Sequence, residues 1–481
     1  MNRRAVLSSI GTAALVAVAG CGSSNDDRST PEGDSTPTGG TGGPPSRPPG
    51  SEQYPQAIAD EFGFENVVNF AEVGADQTGN RAADDLFEEH LTDNQLLYLP
   101  PGRYQIDDTM MFGGDGSKRL GLVGENATIV PPDGFESVLF GFGYPSPLSE
   151  LLVEGLTFDC TARNTGARPF FVSADDRVVA KNLTVRGEID VNQDLLRFDV
   201  TSKSGQALVK NINLPDGAVP GTGVTGMEVG DKNHGDLRFE DCHVAGFPDN
   251  GLYANPPEGS VEVLGGTFLN NGVAGVRIET ANESVVRGVH VRCDDASGAG
   301  ENMRGIRLRS GKSLLVEDCL VELLDVTTSD GAVTFSSELG SATVRNCQIQ
   351  VDADNVNAVR IKEPEGGGSE RGPFRCENVV IRGTAAGAEA IQAANRDGCK
   401  FDNVCVHQTG KDRDGLVADN VGGEVQNTYI SVTGDPISSV NSAITRTNVD
   451  MNRQPEETSA DIERYCGAVD GTADKSLPNR E

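Results

Sequence analysis

Five cations recur at matching places in a chain that is otherwise acidic. Arg277, Arg307, Arg309, Arg360 and Lys362 sit in the short segments Gly275-Val276-Arg277-Ile278, Gly305-Ile306-Arg307-Leu308-Arg309 and Ala358-Val359-Arg360-Ile361-Lys362. Guanidinium groups arrayed in this way can grip carboxylate or sulfate groups with paired hydrogen bonds. Acids stand nearby in the chain: Glu279 two residues after Arg277, and Asp294 with Asp295 in the long segment before Arg307. Carboxylates so placed can move a proton, hold a cation, or pair with the arginines as a solvated ionic face. The chemistry open to this set is recognition of an acidic ligand, with or without proton transfer.

The elements that must carry these residues form a repeat. A small or turn-forming residue recurs at Gly155, Asn182, Asn211, Asp241, Gly265, Gly288, Asp318, Asn346, Asn378, Asn403 and Asn427, with spacings of 23 to 32 residues. Two positions earlier comes an apolar or small side chain, from Val153 and Ala180 to Phe401 and Val425. Three positions later an apolar one returns every time, from Phe158 and Val185 to Val406 and Ile430. Asn, Asp and Gly tolerate positive φ, so each can turn one strand sharply into the next. A third strand follows a loop of variable length. Such a unit cannot bury its apolar face alone and must stack on its neighbours, which predicts an all-β parallel β-helix of about eleven turns.

Stacking orders the outward side chains of the third strands. One column reads Arg197, Glu228, Tyr253, Arg277, Arg307, Thr334, Arg360, Gln392, Val417. A second, two residues on, reads Asp199, Gly230, Asn255, Glu279, Arg309, Ser336, Lys362, Ala394, Asp419. Coils lie about 4.8 Å apart, so the cations form one compact stripe beside Tyr253. The net charge of −32 is spread along the chain, with Arg well above Lys, as on solvated surfaces of salt-rich environments. It excludes nucleic acid as partner, since no basic stripe is large enough to offset it.

The ends divide the chain further. Residues 1–21 contain Arg3-Arg4 and an apolar run too short for a comfortable membrane span, resembling a twin-arginine export signal. Leu15-Val16-Ala17-Val18-Ala19-Gly20-Cys21 is similar to a lipoprotein cleavage box, which implies lipidation at Cys21 and a place on the outer face of the cell membrane; an uncleaved anchor gives the same side. Residues 22–52, rich in Ser, Thr, Pro and Gly, read as a disordered tether. Residues 53–150 read as an N-terminal cap and first turns, 151–455 as the β-helix, and 456–481 as a C-terminal cap and tail. An amphipathic helix is predicted over 81–91, with Ala82, Leu86 and Phe87 on one face.

Gly74-Ala75-Asp76, that helix, and Leu97-Tyr98-Leu99-Pro100-Pro101-Gly102-Arg103-Tyr104-Gln105-Ile106 resemble the opening segment of the pectate-lyase and polygalacturonase superfamily. The resemblance implies a right-handed β-helix with an N-terminal capping helix, acting on or binding acidic polysaccharide. Val359-Arg360-Ile361-Lys362 is similar to a polygalacturonase substrate-binding motif, and Cys293-Asp294-Asp295 resembles the paired aspartates of those hydrolases. Their Asn-Thr-Asp and Gly-His-Gly motifs are missing. A lyase on the pectate-lyase pattern would use Arg307 or Arg309 as base and calcium held by Asp294, Asp295 or Glu279. Calcium enters only with that alternative, and no other cofactor is expected. Tyr253, Arg277, Arg360 and Lys362 would contact the polysaccharide. A non-catalytic glycan- or envelope-binding protein uses the same face.

Of ten Cys, Cys242, Cys319 and Cys347 share one repeat position and are expected to point inward as a buried ladder. A disulfide among Cys376, Cys399 and Cys405 stays open at this point.

Overall fold

The computed structural model describes residues 53–114, 116, 118–190, 194–366, 372–455 and 466. The expected signal, the expected lipidation site Cys21, the tether and, apart from Cys466, the C-terminal cap and tail lie outside the described residues.

The architecture is a right-handed parallel β-helix of about 13 turns. Each coil carries three strands, and every strand pairs in parallel with its counterpart one coil on. The inward column two residues before each turn stacks in unbroken register: Val153 on Ala180, Val209, Phe239, Val263, Val286, Val316, Val344, Cys376, Phe401 and Val425. All eleven side chains are buried. Coil stacking satisfies the strand backbone and buries a core that no single coil could hold.

The turn residues behave as their chemistry requires. All eleven, from Gly155 (φ 73°) through Asn346 (φ 55°) to Asn427 (φ 51°), lie in the left-handed region. Their amides also bond along the stack: Asn346 to Asp318 at 3.1 Å, Asn378 to Asn346 at 3.0 Å, Asn403 to Asn378 at 2.9 Å. Replacing Asn346 by Ala should cost about 2 kcal/mol, through the left-handed penalty and two lost ladder bonds, and Gly should recover the backbone part. Denaturant midpoints of the two variants measure this; equal losses would mean that the backbone conformation contributes nothing.

The turn count exceeds the expected eleven because coiling begins earlier. Ahead of the aligned series, within the cap and first turns, third strands already form at Met110–Gly113 and Val138–Tyr144, and Asn126 (φ 51°) is an earlier member of the turn series. Glycine at 113, 141 and 143 hides the apolar alternation there. The capping helix is Asp84–His90, shorter than expected. Phe87 is buried against Phe70, ring centroids 4.5 Å apart, and closes the end of the core. Ala82 is instead the exposed end of the strand Thr78–Ala82, and Ala83 takes the buried place. A further helix, Gln53–Phe62, lies outside the barrel, packing Ile58, Ala59 and Phe62 on the outward residues Leu96, Val123, Leu152 and Val179.

Cys242, Cys319 and Cys347 are buried inward thiols, and burial pushes Cys242 up to about 12. The disulfide joins Cys405 to Cys466, with Cα atoms 5.5 Å apart. Cys376 and Cys399 are free and buried, because strand alternation turns them inward and Cys405 outward.

Candidate ligand-binding face

The third strands carry the stripe, and the outward column holds in register. Arg197 pairs with Glu228, Glu228 with Tyr253, Tyr253 with Arg277, Arg277 with Arg307, Arg307 with Thr334, Thr334 with Arg360, and Arg360 with Gln392. The second column departs from expectation at one step. A bulge between Ile278 and Glu279 sets Glu279 opposite Ser310 instead of Arg309. Arg309 still reaches it, Nε to Oε1 3.5 Å.

Two carboxylates organise the cations. Glu279 accepts from Arg277 Nη2 at 2.8 Å and from the Tyr253 hydroxyl at 3.2 Å. The Arg277 guanidinium lies 4.0 Å from the Tyr253 ring centroid, and its Nε is buried without a hydrogen-bond partner. Arg309 also donates to Glu338 at 3.0 Å. Asp330 takes Lys362 Nζ at 2.6 Å and buried Arg304 at 2.5 Å, with Arg360 3.9 Å away. Burial would raise the Asp330 carboxyl, but Lys362 and Arg304 hold it far below the usual carboxylate range.

Arg307 differs from its neighbours. Its one hydrogen bond among the described residues is from Nε to Ser336 Oγ, a long 3.4 Å, and no described carboxylate comes within ion-pair distance. Burial, then Arg304, Arg277 and Arg309, bring its pKa down to about 10. Arg307 is thus a half-buried cation among three others, with the cost of its burial not offset by a paired carboxylate among the described residues.

Sequence reasoning missed Asp330, Arg304 and Glu338, which sit just outside or at the start of the strands. It also passed over an acidic group one coil from Tyr253. Glu228, hydrogen-bonded to Asp194, is pushed from 4.5 up to about 7 by burial first and then by Asp194. Arg197 stands 3.3 Å from Glu228, and Arg168 is 3.9 Å from Asp194. Glu228 stands in the outward column, but its partner Asp194 lies just ahead of the strand Leu196–Val200 one coil earlier and carries no repeat signal. A raised acid favours the folded state below its ordinary pKa and loses that contribution as pH rises through about 7. Relative to Glu228→Gln, the wild type should therefore lose about 1–2 kcal/mol between pH 5 and pH 8 in urea titrations. Parallel curves for the two proteins would mean that the pair does not share a proton.

Asp294 and Asp295 are not brought to the stripe. They follow the strand His290–Cys293, which stacks on Thr267–Leu269 and Leu320–Leu323 and not on the third strands. Burial raises Asp294, but bonds from Arg292 (2.7 Å) and Asn270 (2.9 Å) outweigh it and hold the carboxyl low. Asp295 is held low by the Ser297 hydroxyl and backbone, which it caps. Calcium held by Glu279, Asp294 and Asp295 does not fit: Glu279 is committed to Arg277 and Arg309, and the other two serve their own turn. No group of three His, Cys, Asp or Glu among the described residues is placed to hold a metal ion.

No protein-family model and no curated protein matches the chain. Among solved structures it is similar to the surface adhesin PfbA of Streptococcus pneumoniae, at 14% identity and TM-score 0.47, covering 80% of this chain and 92% of that one. It is also similar to the mannuronan C-5 epimerase AlgE4 A-module of Azotobacter vinelandii, at 14% identity and TM-score 0.42, covering 73% and 97%. The Streptomyces thermodiastaticus GH87 α-1,3-glucanase catalytic unit matches at 13% and 0.34, covering 80% and 68%. At these identities the likeness is one of fold and says nothing of activity.

Proposed function

We propose that this is a surface-held β-helix protein that binds an acidic polysaccharide along the face from Tyr253 to Lys362, with Arg307 as the receptor for a uronate or sulfate group. The carrying observation is that Arg307 alone in the stripe has no carboxylate within ion-pair distance among the described residues, while Arg277, Arg309, Arg360 and Lys362 share Glu279, Glu338 and Asp330. Those paired cations flank the receptor, and a ligand anion completes the charge balance at its centre. Export with lipidation at Cys21 would hold the face outside the cell. A disulfide between Cys405 and Cys466 is in keeping with an oxidising exterior.

Cleavage by elimination is the second reading. It is favoured by the lowered pKa of Arg307, which brings a guanidinium nearer to service as a base next to a bound uronate. Arg309 would then steady the same carboxylate. Hydrolysis by Asp294 and Asp295 would require those residues to leave their present partners.

The test is a panel of uronate-containing and sulfated polysaccharides in high salt, with and without calcium. Binding, reducing ends and unsaturated ends are followed separately for wild type and for Arg307→Ala with Arg309→Ala. Binding without product, lost in the variant, is the expected result. Unsaturated ends that vanish in the variant would establish elimination. Neither binding nor product would end the glycan reading.

A further inference from the structure

The outward column does not stop at Arg197. Phe171 pairs with Arg197, Gly141 with Phe171, and Met111 with Gly141, so the same face continues toward the N-terminal end. Its character changes there from charged to apolar. Gly141 leaves a gap that its neighbours fill: an added Cβ would stand 2.2 Å from Met111 Sδ and 2.8 Å from Phe171 Cζ. Tyr144 leans over the patch, its ring 6.5 Å from that of Phe171 and at 85° to it. Tyr144 is 55% exposed and Met111 47%, two of the four large apolar side chains left in solvent among the described residues.

These rings form one wall of a cleft of about 630 Å³. The opposite wall is polar, with Ser173, Asp199, Thr201, Asp231, Lys232 and His234. Arg197 lies between the walls but is already neutralised, by Asp199 at 2.7 Å, Asp231 at 3.2 Å and Glu228 at 3.3 Å. The cleft therefore offers aromatic faces and hydroxyl-binding groups, with Lys232 the one lining cation that has no ion pair among the described residues. Pyranose rings have the matching chemistry, with C–H groups on one face and hydroxyls at the edge. The cleft lies five strand steps from Arg307, about 24 Å along the axis.

We infer that the Tyr144–Phe171 cleft is a second subsite, which stacks a further pyranose ring of the same polysaccharide chain whose acidic group sits on Arg307. The inference rests on the reading proposed above and adds a length requirement. A chain has to span about five sugar units to fill both sites.

Oligogalacturonides from dimer to octamer, titrated calorimetrically against the full chain, test this. Affinity should rise by about tenfold once the oligomer is long enough to reach the cleft. Tyr144→Ala, at an exposed position that leaves the core intact, should remove the step and leave dimer affinity unchanged; Phe171→Ala should do the same. A smooth rise with length, or an octamer bound equally by wild type and Tyr144→Ala, overturns the subsite while the Arg307 site stands. Cellohexaose, which has no charge, separates the two readings: its binding, sensitive to Tyr144→Ala, keeps the cleft by itself, and an octagalacturonide bound equally by wild type and Arg307→Ala removes the anion site. Failure of both octamer and cellohexaose overturns both.

Discussion

Arg307→Ala is expected to lower affinity for an acidic oligosaccharide by about 100-fold, the equivalent of one half-buried, doubly hydrogen-bonded guanidinium–carboxylate contact. The fold should not suffer. Arg307 makes one long hydrogen bond, and burial with three cationic neighbours already works against its charge. Removing it should leave stability unchanged or raise it by about 0.5–1 kcal/mol. That opposition of sign separates a binding residue from a structural one. Thermal melts and titrations of the same preparation supply both numbers. A variant that binds as well as wild type would make the stripe a solvated ionic face. A variant that melts several degrees lower would mean that Arg307 holds the fold. Added salt should weaken what binding remains less steeply, since one charge contact is gone.

Arg396→Ala should have the largest effect on stability, about 3–5 kcal/mol. Arg396 is fully buried, and its guanidinium donates to the carbonyls of Lys362 (2.7 Å), Ser336 (3.2 Å), Ser337 (3.2 Å) and Leu339 (3.3 Å) while lying 4.9 Å from the Phe374 ring centroid. Its loss would leave buried backbone oxygens without donors and a void beside the ring. The held turn also carries Ser336 and Glu338, the partners of Arg307 and Arg309. A loosened turn should therefore weaken ligand binding about tenfold as well. Lysine should restore little, because one ammonium cannot span four carbonyls set around a planar fork. Chemical denaturation checks the first part, and the Lys variant is the control. A cost under about 1 kcal/mol would mean that water replaces the guanidinium without loss.

The coil, its register and the order of side chains on the outer face were legible in the sequence by itself. They follow from local rules: side chains alternate with period two, and Asn, Asp or Gly is needed wherever φ turns positive. Those rules act within a few residues, so they suffice to stack Arg197, Glu228, Tyr253, Arg277, Arg307 and Arg360 in one column. Where glycine replaces apolar residues, near Gly113, Gly141 and Gly143, the same signal fades, and the aligned turn series starts only at Gly155. Only the tertiary structure decided which charges meet. Asp330, Glu338 and Asp194 lie outside the regular strands, and each meets a cation or acid 26 to 34 residues away, across loops of differing length. The pairing of Cys405 with Cys466, the removal of Asp294 and Asp295 from the stripe, and the isolation of Arg307 have the same origin. Loop reach is set by packing on the neighbouring coil, and no periodicity encodes it.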